Sequence, residues 1–110
     1  MDINNALSAF AALSQPTRLS VFRLLIGAGS AGLLAGEISD QLDVRQNTMS
    51  ANLTVLLNAG LVRKERQGRT IRYFANFEAL RGLLKFLMQD CCGGKAEMCQ
   101  PIIDKLACDC

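Results

Sequence analysis

Apolar and polar positions recur at helical spacing through most of the chain. Ile3, Ala6, Leu7, Phe10 and Leu13 form an apolar stripe and predict a first helix over residues 3–13. Ser14-Gln15-Pro16 breaks it, and Pro16 suits the first turn of a second helix. The expected buried side of that helix is Leu19, Phe22, Leu25 and Ile26, and Gly27, Gly29 and Gly32 end it. Gly32-Leu33-Leu34 reads as a short strand that pairs with a later hairpin. A third helix is expected over Ala35–Leu42, with Glu37 near its start, where the helix dipole favours an acid, and Ile38 and Leu42 inward. Asp43-Val44-Arg45 is then the turn of a helix-turn-helix, and a fourth helix runs from Gln46 to Ala59.

That fourth helix organises the rest. Met49, Leu53, Leu56 and Gly60 share one side, and at ~100° per residue Asn47, Ala51, Thr54 and Asn58 point the other way. The outer side carries small and amide-bearing residues and no acid. A helix made only for solubility usually carries Glu and Lys there, whereas one that enters a DNA major groove needs short donors and acceptors on a narrow profile. The next segment runs from Arg63 to Tyr73. Five of its eleven residues are basic and one is acidic. Gln67-Gly68 is a hairpin-turn signal, and Val62, Ile71, Tyr73 and Phe74 favour strands. Helix, basic hairpin and positive charge in that order point to a winged helix-turn-helix that binds DNA. A merely solvated hairpin is the weaker reading, because the basic residues are concentrated here.

After the hairpin, Asn76 is a plausible N-cap for a fifth helix. Glu78, Arg81, Lys85 and Gln89 mark one narrow polar stripe, and Phe77, Leu80, Leu83, Leu84, Phe86, Leu87 and Met88 make the remainder apolar. One small core cannot cover so much, so the same helix in a symmetric partner is the expected second contact, with the first helix alongside. Pro101, Ile102, Ile103 and Leu106 suggest a further helical turn or two. The expected fold is mainly α with a small β-hairpin wing, five or six helices, as a homodimer. Residues 1–90 would bind DNA and dimerise, and residues 91–110 form a cysteine-rich tail.

Charge sharpens this picture. The chain has 110 residues and a net charge of +2, but residues 63–72 alone carry +4 and the remainder −2. The positive field is local, as a phosphate-tracking surface requires. No stretch approaches the ~18 apolar residues of a membrane span, and Met1-Asp2-Ile3-Asn4-Asn5 does not open a signal peptide. A cytoplasmic setting is expected. It would keep the odd set of cysteines, Cys91, Cys92, Cys99, Cys108 and Cys110, as thiols. An enzyme is improbable, with no histidine to activate a cysteine, no phosphate-binding loop and no paired carboxylates.

Gln15-Pro16-Thr17-Arg18-Leu19, the run from Leu42 to Leu53, Ala59-Gly60-Leu61-Val62, Arg66-Gln67-Gly68-Arg69 and Tyr73 together resemble the ArsR/SmtB family of dimeric winged-helix repressors that sense metals and metalloids. The similarity spans residues 3–90. It implies that the helix Gln46–Ala59 enters the major groove and that the hairpin Arg63–Ala75 touches the neighbouring backbone. By position, Gln46, Asn47, Thr48, Ser50 and Ala51 are the groove-facing candidates. Arg45 stands where the family often has a serine; it is a poor cap but within reach of a phosphate. Ala51 stands where the family often has a polar residue, and offers only a methyl contact to thymine. Arg66, Arg69 and Arg72 look like backbone contacts, which set affinity and salt dependence.

Sensors in this family differ mainly in where their ligands sit. The segment Glu37–Leu42 has no cysteine, and the chain has no histidine, which removes two of the family's site types. Cys91, Cys92 and Cys99 remain. Three thiolates suit a soft ion, and trivalent arsenic is completed by three sulfurs. The arrangement resembles family members that sense arsenite or antimonite through C-terminal cysteines. Adjacent cysteines, with Cα atoms ~3.8 Å apart, are too close for an ordinary disulfide yet can share one large atom, and Gly93-Gly94 lets Cys99 fold back. The expectation is an arsenite-responsive repressor, with As(III) or Sb(III) as inducer and operator DNA as partner. A thiol redox switch, a cadmium- or zinc-responsive repressor completed by Cys108, Cys110 or a neighbouring subunit, and a metal-buffering protein remain the alternatives.

Overall fold

Five α-helices and three antiparallel strands follow one another in the computed structural model of the protein, which describes residues 1–89. The helices are α1 (Ile3–Leu13), α2 (Pro16–Ala28), α3 (Ala35–Leu42), α4 (Gln46–Asn58) and α5 (Phe77–Met88); the strands are β1 (Leu33–Leu34), β2 (Val62–Gln67) and β3 (Thr70–Ala75). This is the expected winged helix-turn-helix. The short strand pairs with the hairpin as expected, Leu33 opposite Tyr73, and the sheet order is β1-β3-β2. The suggested turns around Pro101 lie outside the described residues, as do all five cysteines.

Caps account for the helix starts. Asp2 accepts the Asn5 N–H at 2.8 Å, Gln15 accepts that of Arg18 at 2.8 Å, and Asn76 accepts that of Ala79 at 3.2 Å. Asn76 also donates to the Gly60 carbonyl at 2.9 Å, so one side chain starts α5 and ties it to the end of the α4–β2 turn. Gly32 closes the α2–β1 connection with φ 62, and a Cβ there would come within 2.5 Å of the Tyr73 carbonyl oxygen. Only glycine meets both conditions.

The core is built around α4. Met49, Leu53 and Leu56 are fully buried with Val21, Leu25, Ile38 and Leu61. Two details differ from expectation. Leu19 is exposed and Val21 takes its place inside α2, because the helix buries the row 21, 22, 25. Gly60 lies beyond the end of α4 in an exposed turn with φ 77, so it does not extend the buried row. The apolar stripe of α1 is split between two faces. Ala6, Ala9 and Ala12 are buried, while Ile3, Leu7 and Phe10 are 61%, 58% and 39% exposed. Helix α5 likewise buries only Leu83 and leaves Phe77, Leu84 and Leu87 exposed.

Candidate nucleic-acid interface

The turn between α3 and α4 sets α4 at its angle. Asp43 occupies the left-handed region at φ 54, the only non-glycine among the described residues with positive φ. Its N–H donates to the Asp40 carbonyl at 3.4 Å, and the Val44 N–H reaches back to the Ser39 carbonyl at 3.0 Å. That pair of bonds is the Schellman ending of a helix. It satisfies the last carbonyls of α3 and starts the chain toward α4 within three residues. Asp tolerates this backbone better than most residues do.

Arg45 is the N-cap of α4 with no side-chain capping bond, as its residue type implied. Asn47 partly replaces the missing cap, its Oδ1 accepting the Thr48 N–H at 2.8 Å. Gln46, Asn47, Thr48, Ser50, Ala51 and Thr54 are all exposed on one face, opposite the buried row. Thr54 folds its hydroxyl onto the Ser50 carbonyl at 2.9 Å, which removes it as an outward donor. The outward surface at the start of α4 is therefore narrow, neutral and amide-bearing, and it carries the positive end of a helix dipole.

The wing adds the charge. Its loop is Gly68-Arg69, with Gln67 and Thr70 as the last pair, one residue later than the Gln67-Gly68 turn predicted. Gly68 at φ 66 supplies the first loop position that a tight hairpin of this kind needs. Arg69 stands exposed at the tip, and Arg66 folds its Nε onto the Gly68 carbonyl at 3.2 Å while remaining exposed. Arg63 stacks on Phe74, 4.2 Å from the ring centre, a cation–π contact at the root of the wing.

Arg72 is placed differently from the other two. Its side chain is 28% exposed and faces Glu37 at 3.9 Å. It donates to Gln67 Oε1 at 3.0 Å and to the Ala31 carbonyl at 3.3 Å. The structure thus turns Arg72 toward the chain's own oxygens, whereas Arg66 and Arg69 are exposed, as are Arg63 and Lys64. An alternating strand pattern does not show which arginines find internal partners, because two of those partners, Ala31 and Glu37, come from outside the hairpin.

Asn52 was missed. It lies on the buried row of α4, 8% exposed, and accepts from Arg18 Nη1 at 3.4 Å. Its spacing from Met49 and Leu56 already placed it inward, but an amide there is easily assigned to the outer face. No cluster of three or more metal-ligating side chains occurs among the described residues. Cys91, Cys92 and Cys99 lie outside them.

A helix-turn-helix domain family matches residues 13–65. The chain is 33% identical to YbzH of Bacillus subtilis strain 168, an uncharacterized HTH-type transcriptional regulator; the match covers 74% of this chain and 93% of that protein. The chain belongs to the helix-turn-helix transcriptional regulators. The regulator is also 27% identical to the transcriptional repressor SdpR of the same bacterium, over 74% of its own length and 87% of the repressor's. An ArsR-like transcriptional regulator from Rhodococcus sp. RHA1 has a similar structure, with TM-score 0.71 and 28% identity, covering 97% of this chain and 96% of that one. The regulator's fold is thus the winged helix of ArsR-like proteins. Among its described residues no helix is long and apolar enough to cross a membrane.

Proposed function

We propose that this regulator is a homodimeric repressor that holds operator DNA in the absence of inducer and releases it when arsenite or antimonite binds Cys91, Cys92 and Cys99. The observation that carries the DNA half is the acid-free outer face of α4, Gln46 to Ala51, beside the cationic tip Arg66–Arg69. Two copies related by a two-fold axis would place their α4 helices in successive major grooves, about 34–36 Å apart. The dimer half is supported by the uncovered apolar residues Ile3, Leu7 and Phe10 of α1 and Leu84 and Leu87 of α5.

The inducer half is supported by the chemistry of the donor set and its place in the chain. Three thiols follow α5 within eleven residues of Met88. Ligation at Cys91 and Cys92 would act on the end of the helix whose outer face is apolar. A shift there changes how two α4 helices are spaced, and bound DNA must weaken arsenite binding by the same factor.

Replacing Cys92 with serine tests this reading. The variant should bind operator as before and no longer release it on addition of arsenite. X-ray absorption of the arsenite-loaded protein should count three sulfur neighbours, falling when Cys91, Cys92 or Cys99 is replaced. Release by peroxide without metalloid would replace the metalloid reading with a thiol switch. Absence of any salt-dependent affinity for duplex would overturn the DNA half.

A further inference from the structure

Arg18 joins three helices. It sits in the first turn of α2, its Nε donates to the Ala12 carbonyl in the last turn of α1 at 2.7 Å, and its Nη1 reaches Asn52 Oδ1 of α4 at 3.4 Å. None of the ion pairs among the described residues includes it. Its acceptors are two neutral oxygens on two different helices. We propose that Arg18 is a positioning residue for DNA reading: through Asn52 it sets the rotation of α4 against α1, and so governs which bases are read more than how strongly phosphates are gripped. The inference rests on α4 being the helix that enters the groove.

Two observations say that packing alone does not set this rotation. Helix α1 turns Ala6, Ala9 and Ala12 inward, and residues so small present little relief for interlocking. Beside Arg18, an open groove of about 330 Å³ runs between the two helices, lined by Ser8, Ala11, Val55 and Asn58. On that side the Arg18 guanidinium bonds to both helices, and its planar fork fixes the direction of both bonds. Asn52 supports the assignment from the other end. A leucine there would extend the apolar row of Met49, Leu53 and Leu56, whereas a buried amide is costly unless it is bonded.

The geometry explains why reading suffers more than grip. A side-chain tip lies about 6 Å from a helix axis, so turning α4 by about 10° moves the tips of Gln46, Asn47 and Ser50 by about 1 Å. Base contacts depend on displacement of that size. The long arginines of the wing absorb it.

The experiment begins by selecting the preferred site from random duplexes with the wild-type protein. Affinities of R18K, N52L and the double variant are then compared on that site and on a scrambled duplex. Each single variant should lose about tenfold on the selected site, the scale of one hydrogen bond, and nothing on the scrambled one. The double variant should lose no more than either single. Equal losses on both duplexes, or losses that add, would overturn the proposal. A second readout needs no DNA. In nitrogen-15 spectra of R18K, amides of Gln46–Asn58 should move while those of the wing tip stay. Unmoved α4 amides with a native spectrum elsewhere would refute the strut. A wild-type protein that cannot tell the two duplexes apart would instead remove the groove-reading role of α4, with the spectra still deciding whether Arg18 positions it.

Discussion

Glu37 Oε1 accepts the Leu34 backbone N–H at 2.8 Å and stands 3.9 Å from Nη1 of Arg72. One carboxylate thus caps the helix that opens the helix-turn-helix and faces the base of the wing. The pair is half exposed, so its energy is modest, about 0–1 kcal/mol. Its value is geometric: it aligns the sheet with α3.

This placement separates Arg72 from Arg69 in a measurable way. Removing a cation that neutralises one phosphate lowers the slope of log affinity against log salt by about 0.9. R69Q should lower the slope by about that amount per subunit. R72Q should weaken binding while leaving the slope unchanged. Equal slope changes in titrations of fluorescence anisotropy would return Arg72 to the phosphate backbone.

Gly32 admits no side chain. G32A places a methyl group against the Tyr73 carbonyl and the Phe74 ring with φ held positive. The expected loss is about 3 kcal/mol, combining backbone strain and overpacking. Urea unfolding followed by circular dichroism gives the figure directly. By contrast, G27A meets nothing within 4 Å and lies inside α2, so it should leave stability equal or slightly raised.

Asp43 tolerates its left-handed backbone, and a β-branched residue would not. D43V should cost about 1–2 kcal/mol and should weaken binding to the selected site, since the turn orients α4. D43G should be neutral or stabilising in the same melt.

The outward residues of α1 and α5 offer a test of assembly that spares the fold. L7E and L87E change side chains that are 58% and 56% exposed in one protomer. Each should give a folded monomer at micromolar concentration in sedimentation velocity, with helical content retained. L83A serves as the contrast: it truncates a buried leucine and should cost about 2–5 kcal/mol.

Spacing made α1, α3 and the start of α4 readable to the residue, and the Gln67-Gly68 signal put the hairpin within one position. Composition made the acid-free outer face of α4 and the cationic wing readable as well. What periodicity left open was which apolar face turns inward. In α1 the smallest residues, Ala6, Ala9 and Ala12, are buried and the largest are exposed, because close approach to α2 and α4 outweighs the size of each side chain. The partners of Arg72 and Arg18 were equally unreadable, since each bond spans more than one element and depends on tertiary placement.

The two faces of α1 also divide what can vary. Its alanine face is already near the minimum size, so enlargement there would push α4 outward and disturb recognition. The outer face carries no such restriction. In the proposed dimer, exchanging Ile3, Leu7 or Phe10 would alter the contact between subunits and leave the alanine face untouched.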